Sequence, residues 1–207
     1  VQTCALPILT KDDSHIGVVD LHGKVMIVIL NAIGDVVSGS KTYSSNDVEA
    51  TFSGLVQQKV AMHVGDGLEM GCKLSFNNST LDRRVLAVPS SGGACVFCVY
   101  NNNTNKWSEI NLCAGDDEGE ISHGEVDLNI ATFSPDDKYL ATADVNGKII
   151  VWKIASVLNQ SKAVRCFTPE STSVAAPLLD LVWGQGEGDF HPATKEGKLV
   201  YWKMYKA

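Results

Sequence analysis

The chain has 207 residues, of which 44% are hydrophobic and 20% charged, a balance that is ordinary for a globular protein. Its formal net charge of -7 argues against a nucleic-acid-binding surface, because such domains are usually basic. The longest apolar run, from Val25 to Leu30, is much shorter than the roughly 18 residues that a membrane helix needs, so we expect no membrane-spanning helix.

The first eight residues, VQTCALPI, look like translated sequencing-adapter sequence rather than natural protein. We therefore set residues 1–8 aside as an artefact and expect residues 9–207 to be a fragment of a larger domain. Among the five cysteines that remain, Cys95 and Cys98 form a CxxC pair inside a predicted strand. Positions three apart in a strand point to opposite faces, so these cysteines are interpreted as core thiols and not as a metal or redox site.

Hairpins centred on glycine recur along the chain, and the runs between them have the length of strands and are rich in Val, Ile and aromatic residues. Glycine supplies the positive φ that such turns require. None of the connecting segments has helical periodicity, so the chain is predicted to be all-β. The predicted units are residues 14–30 (two strands only), 56–112, 121–155 and 163–204, with turn glycines at Gly23, Gly92 or Gly93, Gly147 and Gly197.

The unit from Leu128 to Ile154 has the clearest pattern. Its three predicted strands are joined by an SPDD turn at Ser134 and a DVNG turn at Asp144, and the last strand contains Trp152. This arrangement resembles a blade of a WD40 repeat protein. The resemblance implies a WD40 β-propeller fragment of about three and a half blades, and because propellers usually have about 4–8 blades, a larger natural domain.

WD40 blades often carry a histidine ahead of the first strand, in a hydrogen-bond network with a strand Ser or Thr, a turn Asp and the Trp. The residues near those positions here are His123, Thr142, Asn146 and Trp152. Because Asn146 stands where Asp is usual, we expect a neutral and weaker network that holds the blade together. Catalysis by His123, in a propeller enzyme, is the alternative.

Other motifs that would indicate chemistry are missing from the sequence. There is no GxSxG nucleophile elbow, no EF-hand pattern among the acidic residues and no phosphate-binding GK[ST] loop. We therefore predict a non-enzymatic protein-interaction scaffold with no catalytic residue, no metal and no cofactor.

Two segments narrow the resemblance further. The unit from Leu128 to Ile154 and the preceding Arg84–Pro89, which reads RVLAVP, are similar to successive blades of the replisome adaptor family, which includes the WD repeat and HMG-box DNA-binding protein. The final unit resembles that family's last blade, but it lacks the proline expected after Trp183 and has Thr194 in place of a usual Asp.

This resemblance implies a nuclear adaptor whose protein partners are replisome components, linking the replicative helicase with DNA polymerase alpha. Trimerisation and the HMG box belong to other regions of that family, so no direct nucleic-acid site is expected in this fragment. The alternative is another WD40 scaffold, such as a ubiquitin-ligase substrate receptor or a trafficking subunit. No membrane partner is expected.

Overall fold

The fold was derived from a computed structural model, and every residue that it describes in regular structure is in a β-strand or bridge. The described residues are 8–12, 15–19, 24–30, 56–63, 73–78, 84–90, 92–101, 103–104, 106–110, 113–114, 119–154, 162–167, 177–185 and 189–203. The predicted all-β class is therefore confirmed. No helix in this part of the chain is long and apolar enough to cross a membrane.

The described strands form four sheets, which we number in chain order. The first sheet contains β1 (Ile8–Leu9), β2 (His15–Val19), β3 (Lys24–Leu30) and β4 (Val56–His63), in that spatial order. The second sheet contains β5 (Ser75–Phe76), β6 (Val85–Pro89), β7 (Cys95–Asn101) and β8 (Lys106–Ile110), in that spatial order.

The third sheet is the largest, and the fourth has three described strands. The third contains β9 (Cys113–Ala114), β10 (Gly119–Glu120), β11 (Leu128–Phe133), β12 (Tyr139–Asp144), β13 (Ile149–Ile154) and β14 (Lys162–Phe167), in the spatial order β10-β9-β14-β13-β12-β11. The fourth contains β15 (Leu178–Trp183), β16 (Asp189–Thr194) and β17 (Trp202–Lys203). Successive strands along the chain that pair within a sheet are antiparallel, whereas β14 and β9 are parallel.

Three apolar clusters fill the spaces between consecutive sheets. Ile27 of the first sheet packs with Phe76 and Leu86 of the second. Phe97 on the other face of the second sheet packs with Leu140 of the third. A further cluster joins the third sheet to the fourth and includes Val151, Leu181, Trp183 and Phe190. Because strand residues alternate between faces, each inner sheet can pack against both of its neighbours. The sheets therefore form an arc with a core in each gap.

The sheet boundaries differ from the sequence interpretation at two strands. β4 lies in the stretch expected to open the second unit, but it pairs with β3 from Lys24↔His63 to Leu30↔Val56 and so completes the first sheet. β14 lies at the expected start of the last unit, but it pairs with β13. Each of these strands pairs with the last strand of the preceding hairpin, because the N–H and C=O groups along the open edge of that hairpin need hydrogen-bond partners.

The first sheet also has more strands than the predicted two. Ile8, which the sequence interpretation set aside with the residues before it, lies in β1 and packs against the second sheet. The turn after β1 copies the turn after β11: the N–H of Thr10 donates to the carbonyl of His15 at 3.0 Å, and that of Ser134 donates to the carbonyl of Tyr139 at 2.9 Å. Gly23, the turn glycine predicted for this sheet, lies outside the described residues.

The hairpin turns of the third and fourth sheets have the same geometry. Gly147 has φ of 85° and Gly197 has φ of 79°, values in the left-handed region that glycine adopts readily. In each turn the glycine N–H donates to the carbonyl of the residue three positions earlier, Asp144 or Thr194, at 2.9 Å and 3.0 Å respectively. The two sheets are thus copies of one unit at a spacing of 50 residues.

Candidate functional site

The candidate site lies where the segment before β11 crosses the hairpin turn of the second sheet. The N–H of His123 donates to the carbonyl of Gly93 at 2.9 Å, and the N–H of Cys95 donates to the carbonyl of Ile121 at 2.9 Å. The N–H of Leu128 donates to the carbonyl of Ser90 at 3.1 Å. These bonds fix the backbone of the His123 segment to the second sheet.

Gly93 permits this close approach. Its φ is 80°, and a Cβ atom at this position would lie 2.0 Å from the carbonyl oxygen of Gly124. No side chain fits in that space, so the residue has to be glycine for the segment to lie where it does. The adjacent Gly92 also has positive φ, at 81°, but a Cβ there would meet no atom within 4 Å.

The side chain of His123 extends in the other direction, into the third sheet. Its Nδ1 lies 3.0 Å from Oδ2 of Asp144, and its Nε2 lies 2.9 Å from Oγ1 of Thr142. The indole Nε1–H of Trp152 donates to the same Thr142 oxygen at 2.9 Å. All four side chains are buried. His123 therefore joins the hairpin of the second sheet to the turn and the closing strand of the third.

One pattern of donors accounts for the three side-chain bonds of the network. A carboxylate only accepts, so Nδ1 of His123 carries a proton and donates it to Asp144. When Nε2 carries no proton, it accepts from the hydroxyl of Thr142, which also lies 3.4 Å from the carbonyl of Ile150, while the Thr142 oxygen accepts from Trp152. The chain of donors thus runs from Trp152 through Thr142 and His123 to Asp144, with the negative charge at its end.

Asp144 is also bound by its own turn. Its Oδ1 accepts from the backbone N–H groups of Asn146 at 2.9 Å and Lys148 at 3.0 Å. Burial opposes the charged form, but the hydrogen bond from His123 and those two backbone donors outweigh it and hold the pKa of the Asp144 carboxyl below its usual value. The network therefore contains an ionised, fully engaged carboxylate.

The acid of this network is not at the position that we expected from the sequence. Asn146 contributes only its backbone N–H, and the residue is exposed at the tip of the turn. Asp144 takes the role instead because it is the last residue of β12, where its side chain can reach both His123 and the turn backbone. The network is consequently charged rather than neutral. Three of the four predicted residues (His123, Thr142 and Trp152) do lie together.

The fourth sheet keeps only part of this arrangement. Thr194 occupies the position of Asp144, and its Oγ1 accepts from the N–H of Lys198 at 3.2 Å. Pro192 occupies the position of Thr142 and has no hydroxyl group. The full network is therefore a feature of the third sheet among the residues that the structure describes.

A second buried histidine, His15 in β2, was not singled out by the sequence analysis. Its ring makes edge contacts with Tyr100 at 5.0 Å and Trp107 at 5.7 Å between centroids, in the gap between the first and second sheets. Burial, with a contribution from the charge of Arg84, lowers the pKa of His15 to about 4. No sequence pattern around this lone histidine would have identified it as a buried residue between two sheets.

The CxxC cysteines lie on opposite faces of β7, as their spacing predicts. Cys95 packs in the cluster between the second and third sheets, and Cys98 packs in the cluster between the first and second. Neither forms a disulfide bond, and burial raises the pKa of Cys95. A buried thiol with raised pKa is a poor nucleophile and a poor metal ligand. No group of three or more metal-binding side chains occurs in the described ranges.

Comparison with known proteins shows the fold. The crystal structure of the C-terminal WD40 domain of Sif2 superposes with a TM-score of 0.57 at 11% sequence identity, covering 97% of this chain and 46% of that chain. This chain thus spans less than half of the Sif2 chain. No protein-family model matches the sequence, and no curated protein matches it. The four-sheet arc therefore has the fold of part of a WD40 β-propeller.

Proposed function

We propose that this chain is a non-enzymatic protein-interaction scaffold. The observation that carries this proposal is the closed network around His123. Both of its ring nitrogens are bound within the protein, to Asp144 and Thr142, and the ring is buried. In a catalytic triad the base bonds a hydroxyl that substrate can reach, whereas the hydroxyl beside His123 belongs to Thr142, which is fully buried and also accepts from Trp152. The constellation that most resembles a catalytic triad thus serves to hold two sheets together.

The fold supports the same function. In an arc of packed sheets, the side chains of the strands pack in the gaps between sheets. The turns and edge strands are therefore the surfaces that protein partners can contact. Carbonyl and N–H groups within the turns at Gly93, Gly147 and Gly197 are bonded to the protein itself, which keeps these surfaces rigid. A rigid surface loses little conformational entropy when a partner binds.

We further propose that the scaffold is a nuclear replisome adaptor, linking the replicative helicase and DNA polymerase alpha. The support comes from the second and third sheets. The VLAVP segment forms β6, whose five residues are all buried. The next sheet along the chain contains the strands, the SPDD turn and Trp152 in the same order as the blade of the replisome adaptor family that this unit resembles. The fourth sheet departs from the family at Gly184, which follows Trp183 in place of proline, and at Thr194.

Affinity capture from a nuclear extract tests both the scaffold proposal and the replisome-adaptor proposal. The immobilised full chain is expected to enrich subunits of the replicative helicase or of DNA polymerase alpha relative to the heat-unfolded chain. Enrichment of ubiquitin-ligase adaptors or vesicle-coat subunits instead would overturn the replisome assignment in favour of another WD40 scaffold. If neither group of proteins is enriched over the unfolded chain, the scaffold proposal itself fails.

A further inference from the structure

The turn between β12 and β13 contains the sole asparagine–glycine pair of the sequence, Asn146 and Gly147. Asn146 is exposed, and its side chain has no part in the network that holds the turn. Asparagine is among the residues of proteins that are least durable chemically. The backbone nitrogen of the next residue can attack the side-chain amide carbon, and a glycine leaves this attack unhindered because it has no side chain.

The geometry of the turn opposes this attack. Among the described residues, Asp137 alone has positive φ without being glycine, so Val145 and Asn146 have negative φ. Together with the bond from the N–H of Gly147 to the carbonyl of Asp144, this indicates a type I turn followed by a left-handed glycine. A type I turn gives Asn146 a ψ of about 0°, which holds its Cβ and the next nitrogen roughly 120° apart around the Cα–C bond. The five-membered ring that the attack forms requires these two atoms to be nearly eclipsed.

The hydrogen bonds of the turn oppose the attack as well. The nitrogen of Gly147 has to lose its proton, and that proton is donated to the carbonyl of Asp144 at 2.9 Å. Oδ1 of Asp144 also holds the N–H groups of Asn146 and Lys148, at 2.9 Å and 3.0 Å. The turn must therefore open before the reaction occurs, and the reaction rate should follow the fraction of time that the hairpin is open.

We propose that Asn146 is a deamidation site that the Asp144 turn protects, and that its conversion to isoaspartate disconnects this turn from the His123 network. In the first step the nitrogen of Gly147 bonds to Cγ of Asn146, and Nδ2 leaves as ammonia, taking up the proton that the nitrogen loses. Water then adds to one carbonyl carbon of the cyclic imide, and the bond from that carbon to the ring nitrogen breaks as the nitrogen regains a proton. Cleavage at Cγ gives aspartate, and cleavage at the main-chain carbon gives isoaspartate.

Isoaspartate alters the part of the turn that binds Asp144. The chain then runs through Cγ and is one carbon atom longer between position 146 and Gly147. The bonds that Gly147 and Lys148 donate to Asp144 lie beyond this insertion and lose their alignment. The displaced main-chain carbon becomes a carboxylate near Asp144, so the buried charge loses donors and gains a like charge as a neighbour. A reaction at an exposed turn is thus transmitted to the bond between Asp144 and His123.

The corresponding turn of the fourth sheet has the same geometry without the reactive residue. Gly197 has φ of 79°, and its N–H donates to the carbonyl of Thr194 at 3.0 Å. Glu196 stands at the position of Asn146. Its carboxylate is a poor target for an amide nitrogen, and its longer side chain would have to form a six-membered ring. The inference rests on the third-sheet turn alone and is independent of the proposed protein partners.

Prolonged incubation of the full chain at neutral pH, followed by digestion with trypsin, tests the site. Cleavage after Lys138 and Lys148 releases a peptide in which Asn146 is the only asparagine. Mass spectrometry measures its deamidation, and chromatography separates the isoaspartyl form from the aspartyl form. In the chain unfolded by guanidinium chloride, we expect this peptide to deamidate before any other. In the folded chain, its rate should be at least about tenfold lower. Equal rates in the two states, or earlier deamidation elsewhere in the unfolded chain, would overturn the proposal.

The variant Asp144→Ala tests whether the turn provides the protection. It removes the acceptor of two backbone N–H groups and should raise the deamidation rate of the folded chain at least about fivefold. Asn146→Gln is the matched control, because it keeps the backbone donor but would need a six-membered ring to react. An Asp144→Ala chain that deamidates no faster than the wild type would overturn the protective role of the turn. If this variant fails to fold by circular dichroism, the comparison of folded and unfolded wild type decides the question.

Urea unfolding of the aged protein tests the consequence for the network. The isoaspartyl fraction of the wild type should unfold at a lower urea concentration than the Asn146→Gln chain after the same incubation. Freshly purified Asn146→Asp carries the added charge on a backbone of normal length and should unfold at a higher urea concentration than the isoaspartyl chain. An isoaspartyl chain as stable as either of these two variants would overturn the proposed disconnection of the turn.

Discussion

Nδ1 of His123 lies 3.0 Å from Oδ2 of Asp144, and each of these side chains belongs to a different part of the arc. The histidine backbone is bonded to the hairpin of the second sheet through Gly93, whereas Asp144 closes the hairpin of the third. This buried contact therefore adds a side-chain link to the other hydrogen bonds between the two sheets, among them those from the N–H of Cys95 to the carbonyl of Ile121 and from the N–H of Asn78 to Oδ1 of Asp137. This relationship makes the network a structural link and gives it measurable consequences.

Replacing Asp144 should destabilise the chain far more than replacing Asn146. Asp144→Asn removes the negative charge that accepts hydrogen bonds from three donors. This substitution is expected to lower the free energy of unfolding by about 1.5–3 kcal/mol. Asn146→Ala, at an exposed site whose side chain has no part in the network, should change it by less than about 0.5 kcal/mol. Urea unfolding followed by tryptophan fluorescence measures both. Equal effects of the two substitutions would count against the assignment of Asp144.

The two neighbouring turn glycines should respond differently to the same substitution. Gly92→Ala places a Cβ in open space and incurs only the cost of positive φ, about 1 kcal/mol. Gly93→Ala places it 2.0 Å from the carbonyl of Gly124, so the His123 segment must move and the loss should be at least twice as large. Thermal unfolding of the two variants provides the comparison, and a similar loss of Tm in both would contradict the close packing of this segment.

Thr142→Val tests the middle of the network at nearly constant volume. The valine keeps the shape of the side chain but leaves Trp152 Nε1 and His123 Nε2 without a buried partner, so we expect a loss of about 2–4 kcal/mol. Thr132→Val is the control in the adjacent strand, since the Trp183 indole bonds the backbone carbonyl of Thr132 and not its side chain. Chemical denaturation should separate the two variants clearly. A Thr142→Val chain as stable as the wild type would remove the case for a cooperative network.

His15 should make stability depend on pH between about 6.5 and 4. Its folded pKa of about 4 is below the value of 6.5 for an exposed histidine, so the unfolded chain binds the proton first as the pH falls. Stability should therefore be complete above pH 6.5 and decline at up to about 1.4 kcal/mol per pH unit down to pH 4. His15→Gln removes this slope, which unfolding at a series of pH values would detect. The same slope in the variant would assign it to a different group.

The sequence identifies the turns well because their requirements are local. Gly147 and Gly197 need positive φ wherever the hairpin lies, and the strand runs beside them are short and apolar. It assigns β4 and β14 to the units that follow them, because the sheet to which each belongs depends on pairing with β3 and β13, which the order of residues does not reveal.

The misplaced network acid has a different cause. Asp144 and Asn146 are both polar turn residues two positions apart, so proximity to the glycine favoured Asn146. Comparison with the last unit would have located the acid, because Thr194 precedes Gly197 by the same three residues as Asp144 precedes Gly147. The burial of His15 depends on which sheets pack together, and residue order alone does not carry that information.

The account depends most on His123 and Asp144 acting together as a link between sheets. A double-mutant cycle with His123→Ala, Asp144→Ala and the double variant, measured by urea unfolding at pH 7, tests this directly. We predict a coupling free energy of about 1–3 kcal/mol, since either substitution alone already breaks the shared bond. Additivity within about 0.3 kcal/mol would show that the two residues do not interact in the folded protein and would contradict the structural role given to the network.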